Sequence, residues 1–201
     1  MHSTNRPQTR LPLTALAVLS FTTVASAHPG HGAHGFASGL AHPVTGLDHL
    51  LAMIAVGVLA VALKRAWVWA LPLTFVGMMV LGAAAGVGGL FVPSWLAETM
   101  IALSVVVFGM LVAIGTRVPA FVVAPLVALF AVCHGSAHAA EMPEGGSIAA
   151  YFGGFVLGTI ALHAVGIGVG LAIGRSSQTL LVRGAGVAMS LCGALMLVGI
   201  L

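Results

Sequence analysis

The chain has 201 residues, of which 60% are hydrophobic and only 5% are charged. Soluble domains carry about 25% charged residues, so this composition excludes a water-soluble domain and indicates a small integral membrane protein. The seven basic and four acidic residues give a formal net charge of +3. They form no basic run, which argues against a nucleic-acid-binding surface. The nine histidines outnumber both the acidic and the basic residues, and they are the chemical anomaly of the sequence.

The first segment, residues 1–27, has the pattern of a secretory signal peptide. Arg6 and Arg10 precede a short apolar stretch at 11–24, and Ala25-Ser26-Ala27 forms a small-x-small cleavage site. The apolar stretch is shorter than the roughly 20 residues that a membrane-crossing helix needs. We therefore expect cleavage after Ala27, with an uncleaved anchor as the alternative. Both readings place the residues that follow outside the cytoplasm.

Three histidines follow the expected cleavage site in a glycine-rich segment, at every third position: His28, His31 and His34. A cleaved chain would present the His28 imidazole together with its new α-amino group. Such a segment can collect a divalent ion at the outer surface. The alternative is a flexible polar leader in which the histidines are incidental.

Hydropathy divides the remainder, 28–201, into six stretches that are each long enough to cross a bilayer. The sequence therefore predicts an all-α integral membrane domain of six transmembrane helices. The predicted spans are 38–63, 66–91, 95–115, 118–139, 147–173 and 179–201.

The charged residues of the loops predict how these spans are oriented. With the N-terminus outside, the basic residues of the mature chain all fall on the cytoplasmic side, as the positive-inside rule requires. These residues are Lys64, Arg65, Arg117, Arg175 and Arg183, while Glu98, Glu141 and Glu144 fall outside. The C-terminus then also lies outside, and the expected location is a bacterial inner membrane.

The first span contains two histidines and an acidic residue, which are costly inside a bilayer and are usually functional. At 100° per residue, His42, Gly46, His49 and Met53 share one stripe of a continuous helix, with Asp48 on an adjoining face. We expect Asp48 to coordinate a cation, or to accept the second N–H of a ligating imidazole from a neighbouring helix. Met53 is a candidate soft ligand, with core packing as the alternative.

The fourth span ends with a second polar stripe formed by His134, His138 and Glu141. Two imidazoles one helical turn apart can share a metal ion. The fifth span carries His163 alone, either as a deeper ligand or as a hydrogen bond between helices. Imidazole suits Ni, Cu, Zn and Fe. The histidines therefore predict a transition-metal path, with a proton relay or a structural network as alternatives.

Glycines inside the spans recur at four-residue spacing, a pattern that lets helices approach closely. The pairs are Gly82/Gly86, Gly154/Gly158, Gly166/Gly170 and Gly170/Gly174.

Two motifs resemble the HupE/UreJ family of hydrogenase and urease accessory proteins. They are His-Pro-x-x-Gly-x-Asp-His-x-x-Ala-Met at 42–53 and His-Gly-x-Ala-His-x-x-Glu at 134–141. The resemblance covers essentially the whole mature chain. It implies a permease for nickel, or cobalt, that supplies urease or [NiFe]-hydrogenase. Carried over to this sequence, it implies permeation residues at His42, Asp48 and His49, with His134 and His138 as their partners.

The family resemblance implies a transporter and not an enzyme, in which Ni²⁺ is cargo and no permanently bound cofactor is expected. No Walker A motif is present, so ATP hydrolysis by this chain is not expected. One alternative is a membrane metal-binding or metal-sensing protein that does not transport. A more distant one is a membrane di-iron oxidase, since His134 and His138 match one histidine box. The residues alone do not select Ni over Co, Cu or Zn, and they leave homo-oligomerisation open.

Overall fold

The computed structural model describes residues 33–63, 66–90, 92–115, 118–142, 147–174 and 179–201. Within these residues the only regular secondary structure is α-helix. The predicted signal peptide at 1–27 lies outside the described residues, as do His28 and His31. His34 lies in the first turn of the first helix.

Seven helices account for most of the described chain. In chain order they are α1 (Ala33–Thr45), α2 (Leu47–Ala62), α3 (Trp67–Val87), α4 (Ser94–Ile114), α5 (Ala120–Ala140), α6 (Ile148–Gly174) and α7 (Thr179–Leu197). Helices α3 to α7 are each long and apolar enough to cross a membrane. Their bounds agree with the predicted spans to within about one helical turn, which confirms the all-α membrane class.

The first predicted span, 38–63, is not one continuous helix, and this expectation was wrong. α1 and α2 meet at Gly46 with a bend of 77°, so the described residues contain five helices able to cross a membrane, or six candidate spans if the bent pair counts as one. Gly46 has extended backbone angles, φ −85° and ψ 117°. The carbonyl of His42 accepts hydrogen bonds from the Gly46 N–H at 3.3 Å and the Thr45 hydroxyl at 3.0 Å. These bonds satisfy polar groups that a break within a membrane would otherwise leave unpaired.

The helices pack in pairs that are not neighbours in the chain. α3 packs against α5, α4 against α7, and both α1 and α2 against α6. Glycines lie at these crossings: a Cβ added to Gly82, Gly154 or Gly166 would overlap backbone atoms of the facing helix. The prediction that the glycine pairs serve close helix packing is therefore confirmed for these positions.

The packed helices enclose an apolar core that also contains polar side chains. Phe75, Phe108 and Phe155 are fully buried in it. The buried polar residues of the described part are His49, Ser104, His134, Ser136, His138, Thr159 and His163. Four of these seven residues are histidines, so most of the polar side chains buried in the apolar core are imidazoles.

Candidate metal site

Four histidine side chains from three helices meet inside the protein. The ring centroids of His42 and His138 lie 4.6 Å apart, those of His49 and His138 4.6 Å, and those of His49 and His134 5.0 Å. We call these four residues, His42, His49, His134 and His138, the histidine cluster. The structure thus brings the predicted first-span and fourth-span histidines together.

The bend at Gly46 contributes to this convergence. Seven residues of straight helix rise about 10.5 Å, whereas the centroids of His42 and His49 are 5.8 Å apart. α1 and α2 therefore run in different directions, and each presents one imidazole to the two on α5. A single helical stripe, as predicted from the sequence, does not describe this arrangement.

Three members of the cluster have the spacing of metal ligands. One ring nitrogen from each of His42, His49 and His138 lies within 4.8 Å of the others. Ligands bound at 2.0–2.1 Å around a tetrahedral ion lie about 3.4 Å apart, so modest side-chain rotations would close the set around an ion.

The cluster runs from a partly exposed mouth to a buried end. At the mouth, the side chains of Glu141 and His42 are 52% and 30% exposed, whereas that of His138 is fully buried. Glu141 Oε2 lies 3.1 Å from His42 Nε2 and 3.4 Å from His138 Nδ1. His134, at the other end, is also fully buried. The cluster therefore joins a partly exposed carboxylate and imidazole to three buried imidazoles.

Glu141 lies just beyond the last residue of α5 and links that helix to α1. Its contacts with His138, and then with His42, hold the pKa of its carboxyl well below the ordinary value. The carboxylate is therefore ionised and places a fixed negative charge at the mouth.

Asp48 acts on a histidine of its own helix. Its Oδ1 accepts hydrogen bonds at 2.7 Å from both the backbone N–H and Nδ1 of His49. Of the two roles that the sequence suggests for Asp48, the hydrogen bond to an imidazole of a neighbouring helix is corrected by the structure, since the partner is His49 of the same helix. Coordination of a cation by Asp48 stays a prediction. Because an ionised carboxylate only accepts, Nδ1 carries the proton and Nε2 is left to bind a metal. A carboxylate behind the imidazole is the usual support for a metal-binding histidine.

At the buried end of the cluster, a hydrogen bond also fixes the orientation of an imidazole ring. His134 Nδ1 donates to the Phe130 carbonyl at 2.8 Å, which leaves Nε2 as an acceptor. In the described part, the Nε2 atoms of His134, His49 and His138 are buried without a hydrogen-bond partner. Buried polar atoms without partners are uncommon and call for an explanation. An ion bound between these rings would explain the unpaired nitrogen atoms.

Two other predicted site residues lie outside the cluster. His163 is separated from it by Phe75, whose ring centroid is 5.3 Å from that of His134 and 5.2 Å from that of His163. Met53 is fully buried in the apolar core, one turn after His49. His163 is not among the residues whose ligand atoms converge.

Sequence reasoning missed the aromatic side chains that line the site. The Phe155 ring packs on His138 with centroids 3.8 Å apart, and Tyr151 lies 6.4 Å from His42. Within apolar spans, nothing in the sequence separates these aromatics from ordinary core residues.

Residues 16–196 match the family model described as HupE / UreJ protein. The chain belongs to the HupE / UreJ family. It is 42% identical over 187 residues to Protein HupE of Rhizobium leguminosarum bv. viciae, an alignment that covers 92% of this chain and 96% of that one. No solved structure matches the chain.

The family match includes every described residue of the site, from His42 to His163. Together with the apolar helices, HupE / UreJ membership identifies a multi-pass membrane protein.

Proposed function

We propose that this HupE / UreJ protein is a permease that carries Ni²⁺, with Co²⁺ as the next candidate, through the inner membrane to supply hydrogenase or urease maturation. One observation carries the proposal: four imidazoles from α1, α2 and α5 converge inside an otherwise apolar multi-pass protein. Family membership supports the accessory and metal-handling role. The ion is the cargo, and the protein acts as a transporter and not as an enzyme.

The proposed route follows the contacts between neighbouring rings, from the partly exposed His42 to the buried His134. Ni²⁺ is gathered at the outer surface by His28, His31 and His34 and enters beside Glu141 and His42. It then exchanges ligands through His138 and His49 to His134. Adjacent rings 4.6–5.0 Å apart allow one ligand to be gained as another is lost. Several weak sites, and not one tight site, allow the ion to leave as well as enter.

The charges of the site match a divalent cargo. Asp48 and Glu141 each contribute one negative charge, and the neutral imidazoles contribute none. Ni²⁺ therefore makes the site neutral as a whole. This matters because an uncompensated charge in a low-dielectric interior costs several kcal/mol.

The test is accumulation of ⁶³Ni²⁺ by cells that make the wild-type protein or the variant His49→Ala. We expect His49→Ala to reduce time-dependent uptake at least tenfold at equal protein level in the membrane, because it removes the central ring of the cluster. Ser104→Ala is the matched control: Ser104 is also buried, but it donates to the Ile101 carbonyl in α4. Its uptake should equal that of the wild type.

The same experiment separates the rival functions. Binding of ⁶³Ni²⁺ to membranes without time-dependent uptake would favour a metal-binding or metal-sensing protein. Uptake that His49→Ala leaves unchanged would contradict the route through the cluster. Competition by unlabelled Co²⁺, Cu²⁺ and Zn²⁺ ranks the cargo, and we expect Co²⁺ to compete best.

A further inference from the structure

The crossing of α2 with α6 repeats the crossing of α5 with α3, residue by residue. A Cβ added to Gly57 of α2 would overlap the His163 carbonyl, and one added to Gly135 of α5 would overlap the Met79 carbonyl. Other close contacts at the two crossings correspond in the same order. The corresponding residues are Ile54 and Val132, Val58 and Ser136, and Val61 and Ala139 on α2 and α5, and Gly166 and Gly82, and Gly170 and Gly86, on α6 and α3. The spacing between partners is constant along each helix, so one crossing maps onto the other without insertion or deletion.

The correspondence continues along the whole of α2 and α5. Every buried residue of α2 has a buried counterpart on α5 at the same spacing. Leu63, at the C-cap of α2, corresponds to Glu141, at the C-cap of α5. Burial and helix length are observations separate from the glycine contacts, so the likeness of the two helices is not confined to one crossing.

The remaining pair of helices, α4 and α7, shows how the two halves of the chain are oriented. A Cβ added to Gly109 would lie 2.7 Å from the Gly186 carbonyl oxygen and 2.6 Å from Ser190 N. Conversely, a Cβ added to Gly186 would lie 2.6 Å from the Gly109 carbonyl oxygen and 2.5 Å from Ala113 N. This crossing therefore maps onto itself when α4 and α7 are exchanged. Since Ser190 lies beside Gly109 and Ala113 beside Gly186, the two helices run antiparallel.

The helices α1 to α4 and α5 to α7 thus form two halves with matched crossings and opposite orientation. The halves differ at α1, which the bend at Gly46 separates from α2. Inverted repeats of this kind are typical of secondary transporters, which bind their cargo between the repeats and expose it to the two sides of the membrane in turn.

The two halves have the same packing but opposite chemistry. The histidines of α2 and α5 have apolar counterparts at the spacing that relates the two helices: Val127 for His49, Val56 for His134, and Ala60 for His138. We call Val56, Ala60 and Val127 the apolar layer, and all three are fully buried in one core cluster. In the predicted orientation α2 runs inward and α5 outward. The apolar layer therefore lies on the cytoplasmic side of the histidine cluster.

The histidine cluster lies on the boundary between two packed groups of helices. α1 and α2 pack on α6 and form the α6 group, and α3 packs on α5 and forms the α5 group. His42 and His49 belong to the α6 group, and His134 and His138 to the α5 group. Their rings meet across the boundary at centroid distances of 4.6–5.0 Å. A movement of one group against the other therefore changes access to the cluster and preserves the close crossings within each group.

We propose that the α6 group and the α5 group rock against each other during transport, and that the apolar layer is the inner gate through which Ni²⁺ leaves. This inference rests on the proposed function and deepens it. Glu141 and His42 are partly exposed at the mouth, whereas the apolar layer is closed. The structure is therefore the outward-open one of two states. When the two halves exchange conformations, the mouth closes and the apolar layer opens.

The first test is counterflow in proteoliposomes that contain unlabelled Ni²⁺ and are diluted into a trace of ⁶³Ni²⁺. K⁺ and valinomycin clamp the membrane potential. A rocking carrier that takes one ion out returns with another, so we expect the label inside to rise at least threefold above its final level before it falls. A fixed path that is open at both ends at once gives no such overshoot.

The outcomes of the counterflow experiment separate the two proposals. Uptake of ⁶³Ni²⁺ without an overshoot would contradict the rocking movement and leave the permease in place. The absence of any uptake would contradict the proposed function itself.

The second test locates the inner gate with the variant Ala60→Cys, in a background with Cys133→Ser and Cys192→Ser. Ala113→Cys is the matched control, because Ala113 also lies in the cytoplasmic half of its helix but at the crossing with α7. In inside-out vesicles, we expect an impermeant maleimide to label Ala60→Cys at least fivefold faster than Ala113→Cys, although Ala60 is fully buried in the outward-open state.

Val127→Cys probes the apolar layer from α5 and keeps the test available if Ala60→Cys does not fold. Each variant is first checked for ⁶³Ni²⁺ uptake, which shows that it is folded and active. Labelling of both layer positions no faster than that of Ala113→Cys would contradict an exit through the apolar layer.

Discussion

At the scale of single side chains, the histidine cluster depends on which ring nitrogen each imidazole leaves free. Asp48 fixes the proton of His49 on Nδ1, and the Phe130 carbonyl does the same for His134. Both rings therefore offer Nε2. Asp48 also lies in the first turn of α2, where its charge counters the positive end of the helix dipole that would repel a cation.

The variant Asp48→Asn separates the effect of the Asp48 charge on a bound ion from its effect on the orientation of the His49 ring. An asparagine oxygen can still accept the hydrogen bond from His49 Nδ1, so the ring stays oriented while the negative charge is lost. We expect Ni²⁺ to bind 10–100-fold more weakly, a range typical of changes behind a metal ligand. Equilibrium dialysis measures this. Glu98→Gln, at an exposed position of α4, makes the same chemical change away from the site and should leave binding unaltered.

Wild-type affinity in Asp48→Asn would show that Asp48 orients His49 and does not compensate the charge of the ion.

At the scale of helices, the site depends on two features of the backbone: the break at Gly46 and the close crossings at glycines. A Cβ at Gly46 would lie 2.9 Å from Asp48 Oδ1 and 3.0 Å from His49 Nδ1. The missing side chain thus leaves room for the bond that orients His49. The crossing of α1 and α6 then sets where His42 lies relative to the other rings.

Two adjacent glycines of α6 provide a matched test of that crossing. A Cβ at Gly154 would overlap the Phe36 carbonyl of α1, whereas one at Gly153 would meet nothing within 4 Å. We expect Gly154→Ala to destabilise the protein by about 1–3 kcal/mol and to reduce ⁶³Ni²⁺ uptake, because α1 carries His42. Gly153→Ala should be neutral. Thermal unfolding in detergent and uptake measure the two effects, and equal behaviour of the variants would contradict the role of the crossing.

At the scale of the whole molecule, the apolar composition of the chain is reflected in the large apolar side chains exposed on its surface. Trp69, Phe121 and Leu180 are each at least 70% exposed on the outside of the bundle. Such side chains are compatible with lipid and not with water. Among the described residues, Asp48, Glu98 and Arg183 lie within the first five residues of α2, α4 and α7, and Glu141 lies just beyond α5. The charges of the sequence predict the orientation of the bundle.

Cysteine labelling tests that orientation. In a background with Cys133→Ser and Cys192→Ser, we expect an impermeant maleimide to label Ser94→Cys in intact spheroplasts. Ser177→Cys should react only after permeabilisation, because Arg175 and Arg183 flank it. The opposite pattern would place Glu141 on the cytoplasmic side and contradict uptake through a mouth at that residue.

The sequence by itself determined the membrane class, the bounds of α3 to α7, and the sharing of one helical face by His134 and His138. These properties are local, because hydropathy and the 3.6-residue helical period depend only on residues that are close together in the chain. The family motifs added the pairing of the first-span and fourth-span histidines. The actual meeting of these residues required the structure, since α1, α2 and α5 are separated in the chain.

Only the tertiary structure decided the rest. The bend at Gly46, the choice of His49 as the partner of Asp48, and the placement of Phe75 between His134 and His163 have no counterpart in sequence periodicity. Each depends on which helices pack together and how closely their glycines let them approach. The excess of histidine therefore predicted a metal path, while helix packing decided that four rings form one cluster and that the Phe75 ring lies between this cluster and His163.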